Sequence, residues 1–266
     1  MAALGTGFTF LMTAAGASVV FFFRKEINHA FQRVFLGFAA GVMVAASVWS
    51  LLIPAIEMAE EAGGLPGWVP AAGGFLLGAV FLLALDAVMP HLHPGSKEPE
   101  GPHTPLKRTT LLVLAVTLHN IPEGMAVGLA CALAASAESV PGGAVTAASA
   151  LALALGIGLQ NFPEGMAVVL PLRQSGATQR HCLRWGFWAS LAEPAAAIIG
   201  ILMTTFLATL GGVVMPVLLS VADGAMIFIV VEELIPESQS GDHGHAATYG
   251  FLLGFWLMAL LGVLGN

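Results

Sequence analysis

Eight stretches of this sequence are apolar for about the length of a bilayer-crossing helix, and this feature limits the folds open to the chain. A helix needs ~20 mostly apolar residues to cross the hydrocarbon core. Only 9% of the 266 residues are charged, against roughly a quarter in a typical soluble domain. We therefore predict an all-α integral membrane protein with one membrane domain, residues 1–266. Its spans are predicted at roughly 3–23, 34–56, 69–90, 110–134, 144–170, 185–209, 212–236 and 247–265.

The basic residues predict the orientation of these spans. Loops rich in Lys and Arg stay in the cytoplasm, so both termini are expected to be extracytoplasmic. The expected location is the cell (inner) membrane. The formal net charge of −7 argues against nucleic acid as a partner. All nine basic residues lie in the loops after the first, third and fifth spans: Arg24, Lys25, Arg33, Lys97, Lys107, Arg108, Arg173, Arg180 and Arg184.

An internal repeat occupies the fourth and fifth spans. The segment 119–130 reads His-Asn-Ile-Pro-Glu-Gly-Met-Ala-Val-Gly-Leu-Ala, and 160–171 reads Gln-Asn-Phe-Pro-Glu-Gly-Met-Ala-Val-Val-Leu-Pro, with eight of twelve positions identical. Consecutive spans run antiparallel, so the two copies should be related by an axis in the membrane plane. Transporters commonly place their substrate site at such an interface.

A proline lies inside each copy of the repeat. Pro122 and Pro163 cannot donate the backbone hydrogen bond that a helix requires at their positions. We therefore predict kinked fourth and fifth helices at the core, each with a freed carbonyl, Leu118 in one copy and Leu159 in the other. In hydrocarbon such a carbonyl needs water, a side chain or an ion as a partner.

The polar side chains of the repeat are expected to converge between the two helices. Residues three or four apart share a helix face, which groups the polar residues within each copy. No Lys or Arg lies inside a span, so the buried carboxylates need either protonation or a bound cation. A hydrogen-bonded structural Glu and a proton relay remain alternatives to a cation site. The candidate residues are His119, Asn120 and Glu123 in one copy and Gln160, Asn161 and Glu164 in the other.

The two motifs, HNxPEG in the fourth span and xNxPEG in the fifth, resemble those of the ZIP (Zrt/Irt-like) metal transporters, with the GufA-like branch most similar. The resemblance covers nearly the whole chain. It implies uptake of a divalent metal ion into the cytoplasm. It also implies an elevator motion, in which spans one, four, five and six slide against spans two, three, seven and eight. Family members usually carry His where this chain has Gln160, which leaves a neutral oxygen ligand and looser metal selectivity.

A third buried carboxylate, Glu193, precedes Pro194 in the sixth span. The resemblance implies that it belongs to a second metal position beside the first. Glu123 and Glu164 would then bridge two ions. A hydrogen-bonded structural role for Glu193 is the alternative. The resemblance assigns His119, Glu123, Gln160 and Glu164 to one position, and Asn120, Glu123, Asn161, Glu164 and Glu193 to the other.

Polar residues at the cytoplasmic ends of the third and seventh spans suggest an exit path for the ion. Ordinary interfacial polarity is the alternative for each of them. Asp223 in the seventh span reads as a structural or path residue. Met43 in the second span is either a soft neighbour of the site or a core residue. The exit-path candidates are Asp86, His91, His93, Glu232 and Glu233.

The nitrogen and oxygen ligands suit borderline divalent ions, namely Zn²⁺, Fe²⁺, Mn²⁺, Co²⁺ and Cd²⁺, and disfavour Cu⁺. The ion is expected as the transported substrate and not as a catalytic cofactor, and the chain is not expected to be an enzyme. The partners are therefore a divalent metal ion and the lipid bilayer, and a homodimer is left open. A proton-coupled carrier or channel for another cation is the principal rival, followed by an intramembrane metal enzyme.

Overall fold

A computed structural model describes residues 2–22, 29–91, 101–106, 108–137, 145–207, 210, 212–240 and 244–265. All regular elements in these ranges are helical, which confirms the predicted all-α class. The α-helices are α1 (Ala2–Ser18), α2 (His29–Ala46), α3 (Ile53–Ala62), α4 (Trp68–Val88), α5 (Arg108–Ala137), α6 (Ala147–Gln174), α7 (Gln179–Ser190), α8 (Ala192–Leu207), α9 (Val214–Ile229), α10 (Ile235–Gln239) and α11 (Ala246–Gly265).

Within the described ranges, eight segments are long and apolar enough to cross a membrane. Three of them join two α-helices: the second joins α2 to α3, the sixth α7 to α8, and the seventh α9 to α10. The chain is thus a multi-pass membrane protein. The spans are Ala2–Phe21, Ala30–Ala62, Trp68–Val88, Val113–Ser136, Ala147–Leu170, Gln179–Leu207, Val214–Gln239 and Ala246–Gly265.

Four pairs of spans make the most extensive contacts. The first span packs along the fifth and the fourth along the sixth, while the second packs along the eighth and the third along the seventh. The pairs fall into two groups, one with spans one, four, five and six and the other with spans two, three, seven and eight. The groups meet mainly where the fifth span contacts the second and eighth, and where the fourth contacts the seventh.

Glycines allow the helices within each pair to approach closely. A side chain at Gly124 of α5 would collide with the backbone of Glu193 in the sixth span, and one at Gly165 of α6 would collide with the backbone of Thr13 in the first. Both glycines belong to the Pro-Glu-Gly repeat. The repeat therefore lies directly against the sixth span in one copy and the first span in the other.

The second and seventh spans share an irregular local structure. Each contains a π-helical segment, Ser47–Leu52 in one and Val230–Leu234 in the other. In both spans the segment ends in Leu and is followed by Ile-Pro. Because a π-helical turn makes room for one extra residue, it changes the direction in which neighbouring side chains point, and such turns are frequent at functional sites.

Candidate metal-binding site

The two repeat copies line a cavity between the two groups of spans. Pro122 lies within the continuous helix α5, and Pro163 within α6. The second and seventh spans close the opposite wall of the cavity, to which Met43 contributes. The polar side chains that line it are His119, Glu123, Gln160, Glu164 and Glu237.

A direct hydrogen bond joins the two copies of the repeat. The amide Nε2 of Gln160 donates to Oε1 of Glu123, and both side chains are almost fully buried. The amide therefore orients one oxygen of the carboxylate. Its own oxygen, Oε1 of Gln160, is buried without a hydrogen-bond partner. That oxygen and the second oxygen of Glu123 remain available to a cation.

A second group of polar side chains forms where the fifth span meets the sixth and the first. Nδ2 of Asn161 donates to Oε2 of Glu193 at 2.7 Å and to the carbonyl oxygen of Thr9 at 3.3 Å. These two acceptors fix the orientation of the amide, because its nitrogen has to face them. Asn161 and Glu193 are completely buried. The contact places Glu193 beside the repeat.

Asn120 is held by a different part of the sixth span. Its Nδ2 donates to the carbonyl oxygen of Ala189 at 3.1 Å, near the end of α7. The amide oxygen of Asn120 is buried without a hydrogen-bond partner. Both asparagines therefore use the amide nitrogen to bind the surrounding helices, and Asn120 leaves its oxygen free.

Unpaired oxygens are the main chemical feature of this region. A buried polar atom without a partner costs about 1–3 kcal/mol, and native structures contain few of them. Five such oxygens on the repeat and on Glu193 of the sixth span favour a cation, which can accept a lone pair from each. The unpaired atoms are Oδ1 of Asn120, Oε2 of Glu123, Oε1 of Gln160, Oε1 of Glu164 and Oε1 of Glu193.

The donor set depends on amides as well as acids. Within the described ranges, no three His, Cys, Asp or Glu side chains are grouped closely enough to hold a metal ion by themselves. A metal ion held here would therefore require amide oxygens of the repeat as additional donors. A set of carboxylates, amides and one imidazole is chemically suited to divalent transition metals.

His119 contacts the opposite group of spans. Its Nε2 lies 2.5 Å from Oε2 of Glu233, which is located in the π-helical segment of the seventh span. Glu237, one helical turn further, lines the same cavity, and the sequence prediction missed it. The four-residue spacing of Glu233 and Glu237 was the available signal, because it places both acids on one helix face.

The exit-path candidates occupy different environments. Nε2 of His91 lies 2.8 Å from Oδ1 of Asp86, and Nδ1 of His91 lies 2.8 Å from the carbonyl oxygen of Met89. Glu233 is buried, whereas Glu232 beside it is exposed. His93 lies outside the described residues.

Two further residues complete the surroundings of the site. Met43, for which the sequence analysis left open a place beside the site or in the core, is buried and lines the cavity. Thr9, which the sequence reading did not single out, contributes its backbone carbonyl to Asn161. The sequence does not show which backbone carbonyl accepts a hydrogen bond, so only the structure could reveal this contact.

Comparison with known proteins gives the family of the chain. The ZIP zinc transporter family matches residues 107–262. The zinc transporter ZIP11 of Homo sapiens is 35% identical, with 98% of this chain and 96% of the relative covered. The zinc transporter ZIPB of Bordetella bronchiseptica is 36% identical, with 98% and 80% covered. The zinc transporter GufA of Myxococcus xanthus is 35% identical, with 89% and 88% covered. The chain therefore belongs to the ZIP family of metal transporters.

Proposed function

We propose that this protein carries divalent transition-metal ions, zinc foremost, across the cell (inner) membrane into the cytoplasm. The observation that carries the proposal is the set of five unpaired oxygens on the repeat and on Glu193. The arginines of the described spans, Arg33, Arg180 and Arg184, lie near the ends of the second and sixth spans. The relatives that match over most of the chain are named zinc transporters. Fe²⁺, Mn²⁺ and Cd²⁺ suit the same nitrogen and oxygen ligands.

Two adjacent ion positions would use these unpaired oxygens once an ion draws the side chains together, because the described residues hold no group of three His or Glu side chains already close enough for a metal. Glu123 and Glu164 each belong to both positions and bridge the two ions. The contact of Asn161 with Glu193 supports the second position, and the contact of Gln160 with Glu123 supports the first. The first position uses His119, Glu123, Gln160 and Glu164, and the second uses Asn120, Glu123, Asn161, Glu164 and Glu193.

The route out of the site follows the acids of the seventh span. Glu233 contacts His119 and Glu237 follows one turn later, nearer the end of the span that the basic loops assign to the cytoplasm. An ion that leaves His119 therefore meets these two carboxylates. Asp86 and His91, which lie 2.8 Å apart, supply a further pair of ligands at the end of the third span.

The pairing of spans supports an elevator motion. The first, fourth, fifth and sixth spans carry every residue of the two ion positions, and they pack mainly on one another. The cavity lies between this group and the other four spans. Sliding of the ion-carrying group would move the site past the second and seventh spans.

We retain a homodimer in the proposal, since the outer faces of the third and sixth spans are apolar and exposed.

Zinc uptake by the purified protein in liposomes tests the proposal. Vesicles that contain a zinc-sensitive dye report entry of the ion, and Mn²⁺, Fe²⁺ and Cd²⁺ serve as competitors. Glu123→Ala and Glu164→Ala should each abolish uptake without loss of expression, because each removes an oxygen ligand shared by both positions. Thr205→Val is the matched control, since the Thr205 hydroxyl is exposed and bonds only within its own helix.

The same vesicles separate metal transport from its rivals. Absence of zinc entry at every pH, together with movement of another cation, would establish the rival carrier or channel. Normal zinc entry through Glu123→Ala would show that the ion takes a different route through the protein. Oligomeric state is measured on the same preparation by cross-linking in the vesicles, and a monomer would remove the homodimer from the proposal.

A further inference from the structure

A buried carboxyl group lies outside the metal site, in the middle of the seventh span. Asp223 is completely buried. Its Oδ1 accepts a hydrogen bond from the hydroxyl of Ser47, which belongs to the π-helical segment of the second span. Asp223 comes ten residues before Glu233, a separation of about 15 Å along a helix. It is not among the residues that line the central cavity.

The second oxygen of this carboxyl group is unpaired. Oδ2 of Asp223 and the hydroxyl of Ser220 are both buried without a hydrogen-bond partner. The two residues are three positions apart on α9, so their side chains are neighbours on one helix face. Ser220 packs against the third span, since its Cβ would be 2.8 Å from a Cβ at Gly74. Ser47, Asp223 and Ser220 thus form a polar unit at the junction of the second, third and seventh spans.

The described part of the third and seventh spans holds no Lys or Arg. Arg33 of the second span comes fourteen residues before Ser47, about 21 Å along a helix. The Ser47 hydroxyl donates a hydrogen bond to Oδ1 of Asp223. A carboxylate in this position is costly unless a cation neutralises it. The elements packed against α9 carry further titratable or charged groups, and Glu237 follows in α10. They are His29 and Arg33 of α2, Glu57, Glu60 and Glu61 of α3, Asp86 of α4, Arg108, His119, Glu123 and Cys131 of α5, Glu193 of α8, and Glu232 and Glu233 of the π-helical segment that follows α9.

A proton fits this unit better than a metal ion. A divalent metal needs at least four ligands and space for them, whereas the unit supplies one carboxyl group and two hydroxyls. The cavity described above ends before Asp223. A proton needs only the unpaired Oδ2 of Asp223. Protonation removes the charge of the carboxyl group without any further ligand.

We propose that Asp223, flanked by Ser47 and Ser220, is a proton-binding site that loads and unloads during the transport cycle. In the loading step Oδ2 takes up one proton from water and the carboxylate becomes a neutral carboxylic acid. In the unloading step the proton returns to water. Met43 lies one turn before Ser47 in the second span and lines the metal cavity. A change in the charge of Asp223 can therefore alter the packing of the cavity wall through Ser47. The link to transport rests on the proposed function, while proton binding itself does not.

Infrared spectroscopy of the zinc-free protein in lipid tests proton binding. The carbonyl absorption of a protonated carboxyl group should rise as the pH falls, and Asp223→Asn should lack that component. Asn keeps the shape of the side chain and the acceptor for Ser47 but cannot titrate. Thr204→Val, a buried change in the sixth span, is the matched control and should keep the component. A wild-type spectrum identical to that of Asp223→Asn at every pH would overturn the proposal.

Zinc uptake in liposomes then tests the link to transport. In the wild type the rate should change with pH by up to about tenfold per pH unit, as for a step that involves one proton. In Asp223→Asn zinc should still enter, with a rate independent of pH. An unchanged pH profile in this variant would refute the coupling. A titrating infrared component without zinc uptake by the wild type would instead contradict the proposed function and leave the proton site intact.

Discussion

The close approach of the fourth and sixth spans makes a quantitative prediction for Gly124→Ala. A Cβ at this position would lie 2.8 Å from the carbonyl carbon of Glu193 and 3.0 Å from the Cβ of Ala196. Non-bonded carbon atoms pack at about 3.5–4.0 Å, and a backbone carbonyl cannot rotate away. Relief of the contact with the Glu193 carbonyl carbon therefore requires the two helices to separate by roughly 0.7–1.2 Å, the difference between 2.8 Å and this range. Glu193 moves with its backbone and away from Asn161.

The expected cost follows from two opposing effects. Overpacking of a well-packed interior costs about 1–3 kcal/mol, while replacing Gly by Ala within a helix contributes about 0.5–1 kcal/mol of stability. Gly7 of the first span is the matched control, since a Cβ there would meet nothing within 4 Å. Gly7→Ala experiences only the favourable effect. The free energies of unfolding of the two variants should thus differ by about 1–3 kcal/mol.

Denaturation in mixed micelles and zinc uptake in liposomes measure the two consequences. Gly124→Ala should unfold at a lower detergent fraction than Gly7→Ala and should take up zinc more slowly, because Glu193 no longer reaches the second ion position. Gly7→Ala should transport like the wild type. If both alanine variants had the same stability and the same uptake rate, the close helix approach would have no role in holding Glu193 at the site.

Substitutions within the central set are expected to act on selectivity, stability and affinity. Gln160→His should favour zinc over Mn²⁺ by supplying an imidazole; unchanged inhibition of zinc uptake by Mn²⁺ would contradict this. Asn161→Asp replaces the nitrogen that lies 2.7 Å from Oε2 of Glu193 by an acidic oxygen. The zinc-free protein should then be less stable and zinc should raise its Tm more than in the wild type, which equal shifts would disprove. His119→Ala should weaken zinc binding at least by the 10–100-fold expected on losing an outer ligand partner; a chelator competition that shows equal affinity would exclude His119 as a ligand.

The two repeat copies differ in a way that bears on mechanism. His119 of the fourth span contacts Glu233 of the opposite group of spans, whereas Gln160 at the matching position of the fifth span contacts Glu123 of its own group. One copy thus faces the exit route and the other closes the site. Under the proposed function, the imidazole would serve release of the ion and the amide its binding.

Much of the architecture was open to prediction from the sequence. Eight apolar stretches, a total charge content of 9% and the repeated Asn-x-Pro-Glu-Gly motif are local properties of the chain. The length and hydropathy of a stretch decide whether a helix can cross a bilayer. Residue spacing decides which side chains share its face. The all-α class, the central repeat and its polar residues followed from these properties.

The tertiary structure decided how the polar atoms are partnered. It paired His119 with Glu233, placed Glu237 on the cavity, and joined Asp223 to Ser47 across two spans. It also showed that Glu232 is exposed while its neighbour Glu233 is buried. These features depend on which helices pack together and on the turn at Val230–Leu234, and neither is encoded in the spacing of a single helix. An oxygen is left free for a cation only when the helices around it supply no donor, so the identity of the free oxygens emerges after the spans have assembled.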